Sequence, residues 1–160
     1  MSSNFEFLTG IYDEFAKEAK EAEQSLVVSP STCAILSRRA LELAVRFVFT
    51  FDNELKLPYQ DNISSLIHER TFRSIIEPRL FPMLIYVIWL GNKAVHTNKK
   101  ITRDDAIVSL RDLFEFCDWI DYSYSRVYKD KQFDESILPS GEDKRMSSEE
   151  LQKMYDKMSS

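Results

Sequence analysis

SPSTCAILSRRALELAVRFVFTF, residues 29–51, is the stretch whose reading decides the fold. Serine followed by proline opens a helix. The Ser29 side chain can accept from a free N–H of the first turn, and Pro30 lacks only an N–H that would go unpaired there. Beyond them Ile35, Leu36, Leu43, Ala44, Val45, Phe47, Val48 and Phe51 cover most of the helical circumference. A helix apolar nearly all round is a buried one, so this reads as the central element. Arg38, Arg39, Glu42 and Arg46 interrupt it. Arg38 and Glu42, four apart, share a side of the helix and predict an intrahelical ion pair.

Working outward, Ser3 with Glu6 predicts a capping box opening a helix through about Gln24. Its buried stripe is Phe5, Leu8, Ile11, Tyr12, Phe15, Ala19 and Ala22; its other face carries six carboxylates against two lysines. After residue 51 a polar loop closes at Pro58, and a short helix is expected around Asn62 to Glu69. Pro78 and Pro82 make the stretch from Ile75 irregular, with helix from Met83 to His96. Thr102, with Asp104 and Asp105 behind it, opens a helix running to about Tyr128. No run alternates with period two and no Asn-Gly or Asp-Gly hairpin signal occurs. The expectation is an all-α bundle of four or more helices in residues 1–128. Residues 129–160 read as a linker containing Pro139 and Gly141. It leads into the start of an amphipathic connecting helix, capped by Ser147 with Glu150 and carrying Leu151, Met154 and Met158.

Composition narrows the chemistry. The 160 residues are 44% hydrophobic and 29% charged, with a formal net charge of −5, which suits one domain with its own core. The three glycines, Gly10, Gly91 and Gly141, are too far apart for a Walker loop or a dinucleotide-binding fingerprint. Cys33 and Cys117 both lie in apolar runs and read as buried thiols of a reducing, cytoplasmic compartment, with no metal site. The longest apolar stretch, Leu80 to Leu90, is 11 residues, too short for a membrane span of about 20.

Two features remain. Gly91-Asn92-Lys93-Ala94-Val95-His96 places Asn92 and His96 one turn apart, and a mid-helix glycine costs about 1 kcal/mol relative to alanine unless a neighbour needs the space. With Arg38 and Glu42 these side chains are expected to form an internal polar cluster: Arg38, Glu42, Gly91, Asn92 and His96. Lys93, Lys99, Lys100 and Arg103 gather near the same turn and are the candidate phosphate contacts, though the acidic balance argues against a dedicated DNA binder.

These residues carry a resemblance. Ser3-Asn4-Phe5-Glu6-Phe7-Leu8, the run from Ser29-Pro30 through Arg38 and Glu42, Phe51-Asp52, Leu57-Pro58-Tyr59 and Gly91 to His96 occur in matching order in one family. Over about residues 3 to 128 the chain resembles the N-terminal helical domain of the R (motor and restriction) subunit of type I restriction-modification enzymes. The resemblance implies a parent that translocates and cuts DNA with ATP and Mg2+ bound in other domains. Its partners would be the remaining R-subunit domains and the methylation and specificity subunits. This chain, with no catalytic residue and no cofactor of its own, would be an accessory docking domain. More distantly it is similar to HEPN bundles, in which an Arg-x4–6-His motif can cleave RNA. His96 matches the histidine, but Trp89, Leu90 and Gly91 occupy the arginine's positions, so the motif is broken. RNA contact or cleavage, DNA contact and homodimerisation stay open as alternatives.

Overall fold

The structure is a computed structural model, and it describes residues 2–96, 100–140, 152–153 and 155–157. Described residues form an all-α fold of six main helices: α1 Asp13–Gln24, α2 Pro30–Phe51, α3 Ile63–His68, α4 Arg70–Ile75, α5 Leu80–His96 and α6 Arg103–Tyr124. The capping box read at Ser147, with Leu151, Met154 and Met158, lies outside them.

The central helix starts where its sequence says. Ser29 Oγ accepts from Thr32 N and Pro30 occupies the first helical position. α2 packs against α1, α5 and α6, which makes it the hub of the bundle. α6 runs parallel to it: Ala34 near the start of α2 and Ile101 just before α6 join Leu90 in one small apolar cluster, and Phe51 meets Tyr124 at their ends. α5 runs back antiparallel to α6, with Arg79 reaching Glu115 and Tyr86 reaching the Asp105 carbonyl. The core is aromatic, with Phe5, Phe15, Phe72, Phe114 and Phe116 fully buried. Each stabilises the fold by roughly 2–3 kcal/mol relative to exposure.

The first helix is shorter than expected. No helix opens at Ser3; the Ser3 hydroxyl accepts from Phe5 N, and Gly10 takes φ 64°, a left-handed conformation that ends any helix there. Residues 3–9 instead form a strap. Asn4 pins it, donating to Glu23 Oε2 from both its backbone N and its Nδ2 at 3.0 Å. The expected stripe is nevertheless buried, except for Ile11.

Three other boundaries move. α5 begins at Leu80 rather than Met83, because Pro82 falls in the first turn, where N–H groups have no helical partner anyway. α4 was not expected; Glu69 caps it, accepting from Thr71 N and Phe72 N. α6 stops at Tyr124 rather than Tyr128, where Ser125 turns extended. Residues 129–140, read as linker, lie along the bundle. Leu138 is buried, and Asp134 exchanges hydrogen bonds with Asn4 at 2.7 and 3.1 Å.

Candidate functional site

Gly91 is where α5 meets α2. A Cβ built on it would lie 2.6 Å from Arg38 Cβ, 2.7 Å from Arg38 Cδ and 3.1 Å from the Ala34 carbonyl oxygen. The glycine therefore permits the approach of the two helices, and the aliphatic stem of Arg38 lies across the space it leaves.

The expected polar cluster does not assemble around that contact. Glu42 turns to Arg46, one turn later in α2, at 3.4 Å, and Arg46 also donates to the Asp61 carbonyl at 2.7 Å. A glutamate preceding its cation by four residues is the better-oriented helical pair, which favours Arg46 over Arg38. Arg38 Nε, held by the stem on Gly91, is buried without a hydrogen-bond partner among the described residues. Asn92 and His96 are exposed, and no hydrogen bond joins either to Arg38 or Glu42. The reason is helical phase. With Gly91 facing α2, Asn92 is rotated about 100° away and His96 follows it, one turn on.

That same rotation aligns them with other side chains. Ile85, Trp89, Asn92 and His96 recur at three- and four-residue steps and are all exposed, Ile85 to 40% and Trp89 to 53%. The opposite face of α5, with Leu80, Leu84, Val87, Ile88 and Gly91, is buried. Tyr86 leans on the Trp89 ring at 6.0 Å, and Lys93 Nζ sits 5.0 Å from its centroid. The Gly91-to-His96 string is thus the end of a solvent-facing stripe with a tryptophan at its centre. Trp89 and Ile85 were not among the expected site residues; the sequence signal was an α5 apolar on more sides than a bundle can cover.

The candidate phosphate contacts are placed differently from one another. Lys100 is exposed, Lys93 stands over Trp89, and Arg103 turns inward to donate to the Pro139 carbonyl at 3.0 Å. Lys99 lies outside the described residues.

His68 Nδ1 sits 2.7 Å from the Ser64 carbonyl, far along the chain from His96. Burial pushes the Cys33 thiol up to about 12 and the Cys117 thiol higher still, so neither supplies thiolate near neutrality. Among the described residues no group of three or more His, Cys, Asp or Glu side chains is placed to hold a metal ion, and no helix is long and apolar enough to cross a membrane.

A family model described as a domain of unknown function, DUF4145, matches residues 20–140. No curated protein and no solved structure matches the chain.

Proposed function

The chain belongs to the DUF4145 family, and we propose that it works as a non-catalytic docking domain, the N-terminal helical part of a type I restriction-modification R subunit. In this reading ATP and Mg2+ belong to other domains of the parent. The present bundle docks against those domains, or against the methylation and specificity subunits. One observation carries it: the exposed stripe of Ile85, Trp89, Asn92 and His96 on a helix whose other face is locked to α2. An exposed tryptophan ringed by polar groups is the composition of a protein interface, where such residues dominate binding energy. A rigid helix presents that stripe at no ordering cost.

The test is co-expression with the methylation, specificity and remaining R-subunit parts of a type I system, followed by size-exclusion chromatography. The chain is expected to co-elute, and Trp89→Glu to elute alone with its melting temperature unchanged. A wild-type chain that never co-elutes removes the reading.

A second reading, HEPN-like RNA contact or cleavage, draws on the exposure of His96. A histidine in solvent is free to act as acid or base, but cleavage also requires a cation at the phosphate. Labelled RNA incubated with wild type and His96→Ala decides it; equal turnover by both discards the nuclease.

A further inference from the structure

At the end of the bundle away from Gly91, the N-terminal strap, the last residues of α2 and α6 and the segment after α6 enclose an open cleft of about 900 Å3. That is the size of a site for a small organic ligand, roughly 300–1,000 Å3. Its base is aromatic: Phe7, Tyr12 and Tyr124. Ile11, Phe51 and Val127 stand at its sides, exposed to 56%, 44% and 81%, a concentration of uncovered apolar surface in one concavity.

The polar groups at the base are already matched. Asp121 accepts from the Tyr12 hydroxyl at 3.1 Å and from Lys131 Nζ at 2.9 Å. Lys131 also donates to the Lys129 carbonyl at 3.0 Å and forms an ion pair with Asp118 at 3.0 Å, so the ammonium is engaged within the protein. Tyr124 donates to Asp52 at 2.8 Å. The rim differs. Arg126 and Lys129 line the cleft, are exposed, and make no ion pair among the described residues; Asp130 stands beside them. The rim is therefore left with a net positive charge, while beneath it Asp118 and Asp121 share the one ammonium of Lys131.

We propose that this cleft binds an organic anion with a planar apolar body, an aryl carboxylate or aryl phosphate. The flat body lies against Phe51, Tyr12 and Tyr124, and the acid group meets Arg126 and Lys129. A guanidinium offers two parallel donors to a carboxylate or phosphate, which fixes the ligand's orientation as well as holding it. No α5 residue lines the cleft, so the site stands independently of the docking surface.

Amide NMR of the isotope-labelled chain tests it, with naphthoate as the probe and naphthol and naphthylmethylamine as neutral and cationic controls. Naphthoate is expected to shift the amides of Thr9, Ser125, Val127 and Lys129 saturably, and to bind on the order of tenfold tighter than either control. The double variant Arg126→Glu, Lys129→Glu loses that preference. Val127→Asp, which sets a carboxylate in the exposed apolar lining, is the second variant and weakens naphthoate by a similar factor while keeping the spectrum of a folded chain. Equal binding of naphthol, unchanged affinity in both variants, shifts confined to other surfaces, or no binding would each overturn the assignment.

Discussion

Replacing Gly91 by alanine turns a favourable helix substitution into an unfavourable one, and the structure says by how much. In an open helix the change would gain about 1 kcal/mol of helix propensity. Here the new methyl would stand 2.6 Å from Arg38 Cβ, about 1 Å inside ordinary carbon–carbon contact. Arg38 Cδ, at 2.7 Å, can swing away; Cβ is fixed to the α2 backbone, and the Ala34 carbonyl at 3.1 Å blocks the other direction. The helices must part, at an overpacking cost of roughly 1–3 kcal/mol or more. Set against the propensity gain, this leaves a net loss of up to about 2 kcal/mol in urea denaturation, with the m-value unchanged. The cycle through Arg38 sharpens it. In an Arg38→Ala background Cβ remains, and Gly91→Ala stays destabilising. In an Arg38→Gly background the close carbon contacts are gone, and the same change becomes nearly neutral. A Gly91→Ala chain more stable than wild type by the full propensity gain would refute the account of this seam.

Asp112 is buried in α6, and among the described residues its one ion partner is Arg111, at 3.8 Å. Burial raises its carboxyl from 3.8 to about 6, Glu115 adding to the rise and Arg111 opposing it. The native state thus holds this proton more tightly than the unfolded chain. Its contribution to stability is full below about pH 4 and is lost as pH rises through about 6, a swing of roughly 2–3 kcal/mol. Asp112→Asn should raise the melting temperature at pH 7.5 and flatten its dependence between pH 4 and 7, checked by calorimetry across that range; an unchanged pH profile contradicts it. Lys131→Met leaves Asp118 and Asp121 facing each other without their shared ammonium. These groups are only partly exposed, so a loss of about 1–3 kcal/mol is expected, with hydrogen exchange quickening across residues 128–138. Exchange unchanged in that segment would show that Lys131 does not hold it to the bundle.

The parts of this fold legible in the sequence are those set by local chemistry. Ser29-Pro30 and Thr102 cap their helices as read, because a cap needs only its own first turn. Gly91 was legible as a point of close approach, because a glycine inside an apolar helix has few other uses. What failed depended on partners distant in sequence. Ser3 and Glu6 have the letters of a capping box, yet Asn4 is claimed by Glu23 and Gly10 adopts a left-handed turn, neither visible from the first six residues. The polar cluster failed on phase. Asn92 and His96 share a face, but that face is not the one Gly91 presents to α2, and only the placement of α5 decides which side is covered. The cleft at the other end was illegible because Tyr12, Asp121 and Lys131 come from three separate segments.

The docking account rests on the outer stripe of α5 being covered in the assembled parent. Oxidative footprinting of Trp89 measures this directly, comparing the isolated chain with its complex with the other R-subunit domains and partner subunits. Tyr122, exposed to 66% on α6, is the internal reference. The account predicts Trp89 strongly labelled alone and protected in the complex while Tyr122 is labelled in both. Trp89 labelled equally in the two states would contradict it.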